Sequence, residues 1–222
     1  MQLALKLLTE ANVIFWDFDG VIKESVDVKT AAYGQLFEGF QPGLAERVRE
    51  HHRKFSGVSR FEKIPLYLAW AGIPVTEKTV DEFCVSFSDL VLNAVVEAPW
   101  VVGVRHWILE NYQQHAFIMV TATPQKEIEG ILKQIDLAYC FDQIHGSPKK
   151  KEEAVEQSLQ MLSVNPNQAL FVGDAETDFC AAKKCSVPFL WRETNLNKDL
   201  RSRLTAPGFV DLPYSNNDSS HV

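Results

Sequence analysis

Four short apolar runs, Val13–Trp16, Phe117–Val120, Ala169–Val172 and Pro188–Trp191, constrain the fold of this chain more than any other feature. Each is bounded by polar residues or glycine, as strands are. The last three are separated by segments long enough to hold a helix, and that alternation is the sign of a parallel α/β sheet.

Between the first run and the second lies a stretch of about a hundred residues, roughly Val21 to His115, whose apolar residues recur at helical spacing. The spacing predicts helices near Val26–Phe37, Leu44–Lys54, Phe61–Ala71 and Thr79–Val96. Gln41-Pro42-Gly43, Gly57 and Gly72-Ile73-Pro74 punctuate them, with Pro42, Pro74 and Pro99 as boundary marks. A helical block of this length inside a sheet is best explained as a second lobe folding over the sheet's edge, with Trp100–Tyr112 as the helix that re-enters the core. The expected fold class is α/β, a Rossmann-like three-layer parallel-sheet core over residues 1–22 and 100–212. An inserted helical cap covers 23–99, and a polar, flexible tail covers 213–222.

The chain has 222 residues, 46% of them hydrophobic and 23% charged, which is ordinary for a soluble globular protein. A formal charge of -7 argues against duplex nucleic acid as a partner, because that binding relies on basic side chains neutralising phosphates. Cys84, Cys140, Cys180 and Cys185 are scattered, without metal-ligand spacing, and read as reduced, mostly buried thiols of a cytoplasmic protein. Neither a secretion leader nor an apolar run of membrane-spanning length is visible, so no membrane partner is expected. Oligomeric state is left open by the sequence.

The chemistry lies where the apolar runs end. Asp17 and Asp19 follow the first, Thr121 the second, and Gly173-Asp174 the third. In an open parallel sheet these ends share one edge, the edge at which such folds bind ligands. Asp17, Asp19 and Asp174 packed together would repel one another, which implies a hard cation held by oxygen, with magnesium the first choice. Asp17 can then attack phosphorus as a carboxylate nucleophile. Asp19 is placed as acid and base, protonating a leaving alcohol and then deprotonating a water. Gly20 suits a tight turn, and Gly173 a close backbone approach.

Thr121-Ala122-Thr123-Pro124 offers a hydroxyl and backbone N–H groups, including that of Ala122, and Pro124 suits the first turn of a following helix. That makes a cradle for phosphate oxygens, although Thr121 as a plain helix cap explains the same residues. Lys149-Lys150-Lys151 precede an amphipathic helix, Glu152–Leu162. Three cations there oppose the helix dipole, and a phosphate beside a carboxylate cluster accounts for at least one of them better than a solvated charge run does.

Taken together, Asp17-Phe18-Asp19-Gly20-Val21, Thr121, a lysine of Lys149–Lys151 and Gly173-Asp174-Ala175-Glu176-Thr177-Asp178 resemble, in order, the four motifs of the haloacid dehalogenase-like hydrolases. The similarity is to the helical-cap branch that contains phosphoglycolate phosphatase and β-phosphoglucomutase, and it covers nearly the whole chain. It implies an aspartyl-phosphate on Asp17, a lysine (Lys151 by its distance from Pro148, with Lys150 as the fallback) neutralising charge shared by Asp17 and the phosphate, Asp174 as a magnesium ligand, and Asp178 supporting the metal site. It also implies that Asp19 meets the metal through its backbone carbonyl rather than its carboxylate. An EF-hand is the competing account of the acidic segment, but its loop places glycine sixth, whereas Gly20 is fourth from Asp17.

Gly57-Val58-Ser59-Arg60 resembles the cap segment of β-phosphoglucomutase-type relatives, so Arg60 is either a contact to a sugar hydroxyl or distal phosphate, or a surface arginine beginning a helix. His51, His52, Arg53 and Lys54 read as a solvated helix end. The expected activity is hydrolysis of a small phosphorylated metabolite, a sugar phosphate being one option. The alternatives are a phosphomutase, whose relatives often carry Glu-Asp where this chain has Gly173-Asp174, and a binding protein that kept the scaffold without turnover. Lys23-Glu24 departs from the relatives' usual residues at the hinge to the cap, and no residue of the cap names the substrate.

Overall fold

The computed structural model describes residues 1–213; the tail predicted for 213–222 lies, apart from Pro213, outside the described residues. Six parallel strands form one sheet in the order β3-β2-β1-β4-β5-β6: β1 is Val13–Trp16, β2 Ala116–Pro124, β3 Gln143–Ser147, β4 Ala169–Gly173, β5 Phe189–Arg192 and β6 Gly208–Phe209. Ile14, Trp16, Phe117, Met119, Leu170 and Val172 enter one apolar cluster, and Val13, Phe15, Ile118, Val120, Ala169 and Phe171 enter the other. Covered on both faces, these strands are apolar at every position rather than at alternate ones.

Two strands escaped the sequence reading for physical reasons. β3 lies at the sheet's edge, where Gln143, Ile144 and His145 are only half-buried and no apolar run is needed. β6 is two residues long. β2 also runs further than expected, through Thr121 to Pro124, because its register to β3 shifts after Val120 and the pairing resumes at Pro124 and Ser147. Pro124 accordingly sits at the N-cap of α7 (Gln125–Gln134) and not in its first turn. α1 (Gln2–Glu10), not anticipated either, has no side-chain cap and is held by burying Ala4 and Leu8, one turn apart on one face.

Between β1 and β2 four helices pack on one another: α2 (Val26–Leu36), α3 (Leu44–Lys54), α4 (Arg60–Trp70) and α5 (Glu77–Glu97). Thr76 and Thr79 cap α5 reciprocally, the Thr79 N–H donating to Thr76 Oγ1 at 3.2 Å and the Thr76 N–H to Thr79 Oγ1 at 3.0 Å. The interior of this layer is aromatic, with Tyr33 stacked on Phe87 at 3.9 Å between ring centres and edge-on to Tyr67 at 5.5 Å. The chain enters and leaves it side by side: Glu24 N–H donates to Pro99 O at 2.8 Å and Val101 N–H to Ile22 O at 3.0 Å. α6 (Val104–Asn111) returns to the sheet, and α8 (Lys151–Leu162), α9 (Glu176–Lys184) and α10 (Lys198–Arg203) complete the outer layers. Among the described residues no helix is long and apolar enough to cross a membrane.

Candidate active site

Asp17 is the first residue past β1, its N–H still bonded to Val172 O at 3.0 Å, so the strand's own ladder fixes where the carboxylate starts. Lys151, the first residue of α8, reaches across with its Nζ 3.1 Å from Asp17 Oδ2 and 2.5 Å from Asp178 Oδ1. Of the three lysines it is the buried one. Asp178, in the first turn of α9, spends its other oxygen on the Ala175 N–H at 3.0 Å, which caps that helix. Asp174 completes the group, and its backbone carbonyl accepts from Asn197 Nδ2 at 2.9 Å.

Carboxylate oxygens of Asp17, Asp174 and Asp178 lie within 4.8 Å of one another, all buried. Burial first, then the charge of Asp178, pushes the Asp17 carboxyl up to about 7 against the opposing pull of Lys151. Burial followed by Asp17 and Asp178 pushes Asp174 well above the ordinary carboxylate range. Burial disfavours charge on Lys151, but Asp17 and Asp178 outweigh it and hold the ammonium above the usual lysine range. Three acids against one lysine leave the centre short of positive charge, and an all-oxygen donor set fits a hard divalent cation.

Two glycines make the cluster sterically feasible. At Gly20, where φ is +76°, a Cβ would stand 2.3 Å from Asp174 Oδ2; at Gly173 it would stand 2.4 Å from Asp178 Cβ.

The Asp19 side chain is not in this cluster, which corrects the reading of its carboxylate as a metal ligand. It turns toward the helical layer, where it accepts from Ser25 Oγ at 2.6 Å and Thr123 Oγ1 at 3.1 Å and pairs with Lys29 Nζ. Lys29 also donates to Thr123 Oγ1 at 2.8 Å. Burial alone would raise the Asp19 carboxyl, but the charge and hydrogen bond of Lys29, with those of Ser25 and Thr123, hold it below the ordinary range. Asp19 therefore rests ionised.

Thr121 and Ala122 meet Lys151 in a cleft of about 340 Å³, walled on the other side by Gly57, Val58 and Ser59. A larger cleft of about 500 Å³ opens against Glu24, Arg192 and Asn197 and touches Gly20, but is lined by none of Thr121, Ala122 and Lys151. The smaller one is the candidate site.

Arg60 is not a surface residue: it is 4% exposed, bonded through both Nη atoms to Glu127 of α7 at 2.9 and 2.6 Å, and within 2.5 Å of Ser88 Oγ. The cluster at the end of α3 divides. Arg53 is exposed and paired with Glu46 at 3.2 Å, whereas His52 is buried with its Nδ1 2.7 Å from Lys63 Nζ. Lys29, Lys63, Ser25, Thr123 and Arg192 were missed from sequence. Arg192 holds the hinge, donating to Glu24 Oε2 at 3.0 Å and to Gly20 O at 3.3 Å.

The sequence pattern of the haloacid dehalogenase-like hydrolases matches residues 13–191. Phosphoglycolate phosphatase 1 of Pseudomonas aeruginosa is 28% identical over 186 residues, 79% of this chain and 67% of that protein. Among solved structures, CbbY of Rhodobacter sphaeroides in complex with xylulose-1,5-bisphosphate superposes with a TM-score of 0.74 at 16% identity, covering 90% of this chain and 94% of that one. β-Phosphoglucomutase of Clostridium difficile does so at 0.70 and 16%, covering 90% and 91%. With the family pattern spanning the sheet from β1 to β5 and the four motifs meeting at one edge, this chain belongs to the haloacid dehalogenase-like hydrolase family.

Proposed function

We propose that the protein is a magnesium-dependent phosphatase that cleaves a small phosphate monoester through an aspartyl-phosphate on Asp17. The observation that carries this is Lys151, which stands 3.1 Å from Asp17 Oδ2 inside a buried acidic group, aims the nucleophile and favours its ionised form against burial and Asp178. Relatives named phosphoglycolate phosphatase support the reaction class.

In the first step an Asp17 oxygen bonds to phosphorus as the ester P–O bond breaks, and the leaving alkoxide takes a proton held on Asp19. Asp19 then accepts a proton from water, whose oxygen attacks phosphorus and releases Asp17 and inorganic phosphate. Thr121 Oγ1 and the Ala122 N–H cradle the phosphoryl oxygens, and Lys151 balances their charge. Magnesium, held by Asp17, Asp174 and the Asp19 backbone carbonyl with Asp178 in support, would neutralise the phosphate's charge. Asp19 rests ionised, so its acid role requires a proton that Lys29 opposes and the incoming phosphate dianion favours. Four unpaired cysteines support a cytoplasmic setting.

Asp17→Asn tests the assignment. It should lower turnover of an aryl phosphate by at least about a thousandfold with melting behaviour retained, and undiminished turnover would remove Asp17 as nucleophile.

A further inference from the structure

The two segments that would hold the metal are joined behind it by bonds that the phosphoryl chemistry does not use. The Asp19 carbonyl belongs to the same peptide as the Gly20 N–H, and that N–H donates to Lys23 O at 2.7 Å. The following peptide is held from the other side, because the Gly20 carbonyl accepts from Arg192 Nη1 at 3.3 Å. Arg192 in turn forks onto Glu24, Nη1 to Oε2 at 3.0 Å and Nη2 to Oε1 at 2.5 Å, and spends its Nε on Val210 O at 3.1 Å. Both peptides of Gly20 are therefore tied to the hinge residues Lys23 and Glu24.

Arg192 reaches the other segment through its own carbonyl. Asn197 Nδ2 donates to Arg192 O and to Asp174 O, each at 2.9 Å, while its Oδ1 accepts from the Thr194 N–H at 2.8 Å. Both donors of the amide are used, which fixes the way it points. An ordinary ion pair at the hinge would account for Glu24 on Arg192. It would not account for the same arginine being spent on Gly20 O, nor for its carbonyl being shared with Asp174 through one buried amide. The two segments also touch, since a Cβ on Gly20 would stand 2.3 Å from Asp174 Oδ2.

We propose that Arg192, Asn197 and Glu24 are positioning residues of the metal centre: they fix the Asp19 carbonyl relative to Asp174 and so favour magnesium over a larger divalent cation. This rests on the metal assignment above. Magnesium demands near-ideal octahedral geometry at short ligand distances, whereas calcium accepts variable geometry at longer ones. A frame that holds the ligands rigidly matters to the first ion and little to the second. Through Glu24, whose N–H donates to Pro99 O at 2.8 Å, the frame also ties the metal centre to the place where the chain enters and leaves the helical layer.

The test titrates the full, metal-free chain with magnesium chloride and separately with calcium chloride in a calorimeter, with Tm before metal addition as the check on folding. Glu24, Arg192 and Asn197 line the cleft of about 500 Å³, so water can replace the bonds that each variant loses. Asn197→Ala should raise the magnesium Kd by about tenfold or more, the usual effect of removing a group that orients a metal ligand. Glu24→Gln should move it in the same direction, and Arg192→Lys, which keeps the charge but loses the fork, should follow. The calcium Kd should stay within about threefold of wild type throughout. An unchanged magnesium Kd in folded Asn197→Ala and Glu24→Gln overturns the positioning role, as does an equal loss of affinity for both ions, which a general loosening would give. The Glu24 side chain is 41% exposed, so Glu24→Gln carries the test where a variant of a buried partner does not fold. Wild type that binds no magnesium refutes the metal assignment and this proposal with it; wild type that binds it no better than the folded variants refutes the positioning role alone.

Discussion

At the residue scale the two aspartates of the first motif are separated by their partners rather than by sequence. Asp17 faces acids and one lysine, and its proton affinity is raised; Asp19 faces Lys29, Ser25 and Thr123, and its proton affinity is lowered. Such divergence between neighbouring carboxylates is how one site supplies different roles at one pH. Lys29 holds down the Asp19 carboxyl, which must carry a proton in the first step, so Lys29→Met should let that carboxyl rise and extend the alkaline limb of the kcat/KM profile to higher pH. A pH–rate profile checks this, and an unmoved limb removes Lys29 from that role. Gly20→Ala would combine a left-handed backbone with a Cβ 2.3 Å from Asp174 Oδ2. Loss of both magnesium affinity and turnover is expected, read by calorimetry and by aryl phosphate assay.

At the element scale, the helices of the insert and the strands flanking the site were legible because their apolar residues keep one period. α3 was read to the residue, and the other three insert helices to within about two residues at each end. What escaped was polar. Lys29 lies in phase with buried Val26, Thr30 and Tyr33, Lys63 with Arg60, Ile64 and Tyr67, and His52 with Leu44 and Val48. A charged residue on the apolar stripe of a helix is the signal that would have found all three, since such a group is buried only against a partner or a ligand. The phosphate side was readable because strand ends converge by topology; the helical layer over it was not, because nothing in the periodicity fixes how it leans. The contact that fixes the lean is Arg60 of α4 on Glu127 of α7, a buried bidentate pair. Removing one partner strands the other, so Glu127→Ala should cost about 3–5 kcal/mol. A double-mutant cycle with Arg60→Ala, followed by denaturant unfolding, should show strong non-additivity.

At the scale of the whole molecule, stability without metal is tied to the acidic cluster. Asp17 and Asp174 have folded-state affinities for protons raised above those of an unfolded chain. Such groups contribute stability that is fully present below the unfolded value near 4 and is lost as pH rises through the folded value, about 7 for Asp17. Metal-free protein should therefore lose stability from this cluster between roughly pH 4 and 7. Magnesium should restore it above pH 7, with a rise in Tm that grows with pH; a magnesium-independent Tm across that range would contradict the metal assignment. Lys151 alone cannot neutralise three acids, which is why the response belongs to the assembly.

The most direct measurement follows phosphate itself. Rapid mixing with an aryl phosphate, acid quenching within the first turnover and peptide mapping by mass spectrometry should place a phosphoryl group on the peptide that carries Asp17 and remove it in Asp17→Asn. Turnover with no labelled peptide at any time, or a label on any other residue, would contradict the account.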